Sequence, residues 1–115
     1  MIDFEKDCHS EYGWVRSEAA MNSKCPANIL EILARDNDWR VRWGVAMNPN
    51  CPLHILEILA LDEDYWVRYY VARQPNCSIY ILEILSRDND YLVRWWAAKN
   101  PNCSEEIRVA FTLEN

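Results

Sequence analysis

The sequence predicts an all-α fold, an α-solenoid of about three and a half to four two-helix repeats. Two observations carry that expectation. An internal repeat runs through nearly the whole chain, and apolar residues within it recur at helical rather than strand spacing. A third agrees with them: with two glycines in the chain, tight β-hairpins that need positive φ are not expected.

Cys25, Cys51, Cys77 and Cys103 each follow the last by 26 residues. The stretches Cys25–Asn50, Cys51–Asn76 and Cys77–Asn102 share the cysteine, an Ile-Leu-Glu-Ile-Leu core, an Asp-x-Asp pair, Val-Arg, Ala and Pro-Asn. Half-units flank them, because Val15-Arg16 and Ala20-Met21-Asn22 keep the same register, as do Cys103 and Ile107. The single domain, residues 1–115, therefore divides into an N-terminal cap and half repeat (1–24), full repeats at 25–50, 51–76 and 77–102, and a C-terminal capping half repeat (103–115).

Each unit is expected to hold two helices. The first, helix A, starts at Pro26, Pro52 or Ser78, a place where proline's missing N–H costs nothing. Its apolar positions, for example Ile29, Leu30, Ile32 and Leu33, fall at i, i+1, i+3 and i+4 and predict a broad buried face. The second, helix B, follows Asp38, Asp64 or Asp90 as N-cap. It stops near Asn48, Gln74 and Asn100, because a residue before proline resists the helical region. Pairs that bury their faces on the next pair make an α-solenoid.

Composition narrows the function. A chain of 115 residues, half of them apolar and about a quarter charged, is an ordinary small globular domain. It has no apolar run of the ~20 residues a membrane span requires. The acidic N-terminus lacks a secretory leader pattern, so the cytoplasm is the expected compartment. A net charge of −6 disfavours nonspecific binding to nucleic acid or anionic membrane.

The run Asp36-Asn37-Asp38, Val41-Arg42, Val45-Ala46, Asn48-Pro49 and Pro52, followed by a leucine-rich helix, resembles the leucine-rich repeat variant family and, more loosely, HEAT-type repeats. The resemblance implies a right-handed superhelix of α-α or alternating α and 3-10 helices, with helix B on the concave side. It says almost nothing about activity. The founding type of that family resembles a fusion to a cysteine-rich iron–sulfur segment. Here Cys8 alone precedes the repeats, and one thiol cannot supply four cluster ligands, so no cofactor is expected.

Comparing repeats separates constant columns from variable ones. Val41/Val67/Val93 and Ala46/Ala72/Ala98 are constant and suit close helix contact. The variable positions fall at i, i+3, i+4 and i+7, one face of helix B: Arg40, Trp43, Gly44 and Met47; Trp66, Tyr69, Tyr70 and Arg73; Leu92, Trp95, Trp96 and Lys99. Stacked, they form a surface rich in the residue types that dominate binding hot spots. This is the expected partner-binding site. The uniformly aromatic Trp43/Tyr69/Trp95 column leans toward packing. The columns holding Arg40 and Gly44, which swing from glycine to tryptophan, lean toward exposure. Burial of the same face in a homodimer is the third possibility.

Other chemistry-bearing residues have structural explanations. The arginines Arg42, Arg68 and Arg94 stand four residues after the capping aspartates, the spacing of a helical ion pair, and can also reach an acidic group of the adjacent repeat. Arg16, with no aspartate of its own, is expected to be the free one. One cysteine per layer is too sparse for a zinc site or a disulfide. The four in-register cysteines are therefore small buried thiols, of which an exposed member at a helix N-terminus would be the reactive one, and the out-of-register Cys8 is the best candidate for a free thiol. His9 and His54 have no motif around them. No nucleophile–base pair, glycine-rich phosphate loop or metal spacing is present, so no catalytic or metal residue is assigned. At the C-terminal end, Arg108 replaces the column of Leu30, Leu56 and Leu82, as a terminal cap would. Altered at both ends, the array reads as a complete small protein with an apolar end at Val109, Phe111 and Leu113.

The expected function is a non-enzymatic scaffold that binds a protein or peptide through the aromatic face. Two alternatives stand: nucleic-acid binding, since some HEAT-like DNA glycosylases use Trp, Asp and Arg on such a groove, and a purely structural homo-oligomer.

Overall fold

In a computed structural model, which describes residues 1–114, the chain is all-helical. The nine helices among the described residues are α1 (Phe4–Asp7), α2 (Gly13–Met21), α3 (Ala27–Leu33), α4 (Trp39–Met47), α5 (Leu53–Leu59), α6 (Tyr65–Arg73), α7 (Ile79–Leu85), α8 (Tyr91–Lys99) and α9 (Glu105–Glu114). All are α-helices, so the 3-10 alternative is not realised in them. None is long and apolar enough to cross a membrane.

The capping chemistry follows the sequence closely. Asp38, Asp64 and Asp90 accept backbone N–H groups of the first helical turn of α4, α6 and α8, which satisfies donors that the helix itself leaves unpaired. Those helices end at Asn48, Gln74 and Asn100 in extended backbone, each before a proline. Pro26 and Pro52 sit one step earlier than a first helical residue, as N-caps of α3 and α5.

Helices α2, α4, α6 and α8 pack side by side in chain order, and each helix A rests in the angle between the helix B before it and the one after. The molecule is elongated, 48 × 21 × 17 Å. Ile29, Leu30 and Leu33, with their counterparts Ile55, Leu56, Leu59 and Ile81, Leu82, Leu85, form the core against Val41, Val45, Val67, Val71 and Val93. Each fully buried side chain of this kind contributes about 1.5–3 kcal/mol. The broad face expected for helix A is narrower than the spacing suggested. Ile32 and Ile58 are exposed, because the helices A touch the B row on one side and leave the other to solvent.

An interlock between units comes from the residue that ends each helix B. Asn48 Nδ2 donates to Ala20 O at 2.7 Å and Asn22 O at 2.8 Å. Gln74 and Asn100 repeat the pattern on Ala46 O and Asn48 O, and on Ala72 O and Gln74 O. In the asparagines the other side-chain atom, Oδ1, accepts the N–H two residues on, from Asn50 or Asn102. Gln74 carries one methylene more, and its buried Oε1 has no partner. Gln74→Asn is therefore expected to raise stability by about 1 kcal/mol, read as a higher midpoint in urea. A lowered midpoint would mean that the longer side chain is needed to reach Ala46 and Asn48.

The candidate binding face on helix B

The face is set by where helix B points its side chains once the constant valines and alanines are buried. Arg40, Trp66 and Leu92 lie at its exposed edge, with Trp66 at 37% and Leu92 at 45% of full exposure. Met47, Arg73 and Lys99 occupy the other exposed edge. Between them Trp43, Tyr69 and Trp95 are half-buried.

One expectation about this face is overturned. The Gly44, Tyr70, Trp96 column is not a free exposed row but the contact between successive helices. Trp43 meets Tyr70 edge-on, with ring centroids 5.7 Å apart, and Tyr69 meets Trp96 at 6.0 Å. Gly44 is buried against α2, where an added Cβ would stand 3.1 Å from Ala20 Cβ and 3.2 Å from Ser17 O. Along this column the seam is closed by α2 packing directly on Gly44 in one place and by the rings of Tyr70 and Trp96 in the next two.

The rings join into one array. Trp66 packs on Tyr69 at 5.1 Å, Tyr69 on Tyr70 at 5.1 Å and Trp96 on Trp95 at 4.9 Å. The Arg73 guanidinium lies 4.4 Å from the Trp96 centroid, 5.3 Å from Tyr70 and 5.7 Å from Tyr69, and the Lys99 ammonium 5.4 Å from Trp95. Neither cation has a carboxylate within ion-pair distance among the described residues. Ring quadrupoles hold them in place while their N–H donors stay open to solvent. Arg40 differs, being tied to Asp38 at 3.1 Å. That hydrogen bond to Arg40 holds the Asp38 carboxyl below the ordinary range.

A further aromatic column went unassigned in the sequence. Trp39, Tyr65 and Tyr91, each directly after the capping aspartate, are exposed; the first two extend the array, while Tyr91 meets Phe111 of α9. Tyr65 lies 5.0 Å from Trp66 and Trp39 6.4 Å from Trp43. Their uniform aromatic character was the available signal, since a residue just past the cap stands at the helix edge rather than in its buried stripe.

The arginine ladder runs between units, not within them. Arg42 Nε and Nη2 grip Asp62 at 2.7 and 3.2 Å, while Nη1 donates to Asp36 O at 2.7 Å. Arg68 repeats this on Asp88 and Asp62 O. Arg16, expected to be free, is held in the same way by Asp36 and Ser10 O. Arg94 is the open member: it keeps Asp88 O at 2.8 Å, but among the described residues no carboxylate lies within ion-pair distance. The two aspartates of Asp-x-Asp thus divide the work, the first receiving an arginine from the unit before and the second capping helix B.

Cys8 is a free thiol, as expected, and is buried like Cys25, Cys51, Cys77 and Cys103; no disulfide joins the five. Burial pushes the thiols of Cys51 and Cys77 up to about 12 and that of Cys25 to about 11, and raises Cys8 in the same direction. A neutral buried thiol whose folded pKa lies above the unfolded value of about 8.5 contributes stability that is complete below that value. The contribution is lost as pH rises toward the folded value. Two results are expected: no fast reaction of any cysteine with Ellman's reagent at pH 8, and a Tm that falls from about pH 9 upward. One rapidly titrating thiol in the native protein would contradict the burial.

Among the described residues no group of three or more His, Cys, Asp or Glu side chains is placed to hold a metal ion. His54 lies 3.5 Å from Glu31 at the surface. In α9, Val109 and Leu113 are exposed, but Phe111 is half-buried with its ring 5.8 Å from Tyr91. Compared with family models, curated proteins and solved structures, the chain matches none of them.

Proposed function

We propose that this chain is a non-enzymatic binding scaffold, and that a protein or peptide docks on the aromatic face of α4, α6 and α8. On this reading the stacked pairs are a short α-solenoid of 26-residue repeats of the leucine-rich repeat variant type, working in the cytoplasm. The observation that carries the proposal is the joined array of rings with exposed edges, flanked by Arg73 and Lys99, whose charges no carboxylate of the described chain neutralises. Tryptophan, tyrosine and arginine close together are what an anchoring surface needs. The solvent-facing donors of Arg73 add the means to orient an acidic or carbonyl group.

The residues for a test follow from burial. Tyr70 and Trp96 pack against the core, so changing them tests the fold as much as the face. Trp66, Leu92 and Arg73 are exposed and are the ones to alter. Trp66→Ser with Arg73→Ser should abolish capture of the partner retained by the wild-type chain and leave the Tm within a few degrees. Capture unchanged by both substitutions would refute the proposal. Light scattering at several concentrations distinguishes a homodimer buried through the same face. A salt-dependent gel shift tests nucleic acid, which the acidic balance of the chain disfavours.

A further inference from the structure

The repeat leaves a gap at its N-terminal end. Gly13 stands where later units carry Trp39, Tyr65 and Tyr91, and Ser17 where they carry Trp43, Tyr69 and Trp95. Without those two rings, a cleft of about 440 Å³ opens between α2 and α4, lined among others by Trp14, Glu18, Met21, Asp38, Arg40 and Trp43. Trp14 is among the most exposed rings of the chain, at 66%.

The charge in the cleft is simple. Arg40 Nε lies 3.1 Å from Asp38 Oδ1 and Nη2 lies 3.2 Å from Oδ2, so that pair cancels. Glu18 has no cation within ion-pair distance among the described residues, which leaves one uncompensated carboxylate beside two indoles. The chain itself shows what such surroundings hold. Further along the same face, Arg73 lies over Trp96, Tyr70 and Tyr69, and Lys99 over Trp95. Among the described residues no cation lies over Trp14 or Trp43.

We propose that this cleft is a subsite for an arginine side chain presented by a partner peptide, its guanidinium on the indoles of Trp14 and Trp43 and paired with Glu18. Guanidinium suits the place better than ammonium, because it is planar and weakly hydrated, stacks on rings, and offers a fork of donors to a carboxylate. With methionine at Met21 and Met47, where later units carry Arg73 and Lys99, Arg40 is the one cation among the residues lining the cleft, and Asp38 already pairs it. The inference rests on the reading of the face as a docking surface.

Its test needs no partner protein. Amide and indole N–H signals are followed by NMR while the whole chain is titrated, at fixed ionic strength, with N-acetyl-arginine methylamide. The uncharged isostere N-acetyl-citrulline methylamide is titrated in parallel. The Trp14 and Trp43 indole signals should shift saturably with the arginine compound and stay nearly still with citrulline. Trp14→Leu, at an exposed position that the fold does not rely on, should remove the response with an unchanged far-UV spectrum. Glu18→Gln should weaken the apparent affinity by roughly two- to fivefold. Equal shifts with citrulline would reduce the cleft to an apolar slot and overturn the proposal. So would shifts confined to other tryptophans, no shift at all, or a full response in Trp14→Leu. Partner capture that survives Trp66→Ser with Arg73→Ser while the cleft still binds arginine would fault the broader reading and not this one.

Discussion

Asn48→Ala is expected to lower the unfolding free energy by about 3–4 kcal/mol and the Tm by roughly 10–15 °C. Asn48 is 0% exposed, and its side chain makes three hydrogen bonds: two donated across the unit boundary to Ala20 O and Asn22 O, and one accepted from Asn50 N. Alanine deletes all three and leaves backbone groups facing a small void. Water reaches such a place poorly, so each orphan keeps most of its desolvation cost. Asn50 provides the control, because it is exposed and its amide reaches a single carbonyl, Ser23 O at 2.6 Å. Asn50→Ala should cost under about 1 kcal/mol. Urea unfolding of the two variants measures the difference directly. Equal effects at the two positions would show that the buried amide does not hold the units together.

The second large effect is expected at the ladder. Asp62→Ala removes the carboxylate that Arg42 grips with two N–H groups, in a pair whose side chains are 10% and 7% exposed. The guanidinium is left buried with Asp36 O as its main remaining partner. Breaking a buried pair from one side typically costs about 3–5 kcal/mol, far more than the intact pair contributes relative to an apolar replacement. The double variant Asp62→Leu with Arg42→Met should accordingly recover much of the loss. The exposed Arg40–Asp38 pair sets the opposite limit: Arg40→Ala should move the urea midpoint little, since surface ion pairs contribute almost nothing. A cost for Asp62→Ala no larger than that for Arg40→Ala would overturn the assignment of the ladder as a buried link between units.

The ladder argument rests on columns that the repeat keeps constant, Asp36/Asp62/Asp88 and Arg42/Arg68/Arg94, and constant columns are the legible part of the sequence. Helix class, the start of each helix B at Asp38, Asp64 and Asp90, and its stop before proline are all properties of a few neighbouring residues. Capping and the proline clash act over one turn of chain, so reading them requires no knowledge of what packs where. The buried leucines and valines were legible for a related reason, since period and constancy together mark a stripe that always meets the same neighbour.

The errors share a cause as well. Ile32, Arg16 and the column of Gly44, Tyr70 and Trp96 stand otherwise than their local pattern predicts, and each is settled by packing across a unit boundary. No aspartate stands in the turn that holds Arg16, and its partner Asp36 is 20 residues away. Gly44 meets α2 directly while Trp96 reaches Tyr69 on α6, and no pattern along one chain segment reports which neighbour a side chain will meet. The amide interlock of Asn48, Gln74 and Asn100 escaped notice because a residue that ends a helix already has a local explanation.

By itself, then, the sequence determined the helices, their caps, the stripe each one buries and the set of aromatic residues left to vary, because those follow from interactions within a turn or two. Only the tertiary structure decided which aromatic rings face solvent and which fill the seams, that Arg94 and not Arg16 is the open member of the ladder, and that Gly13 and Ser17 leave a cleft beside Trp14. Those outcomes depend on how closely successive helices approach, which is set by the summed volumes of side chains on both and is written in neither one alone.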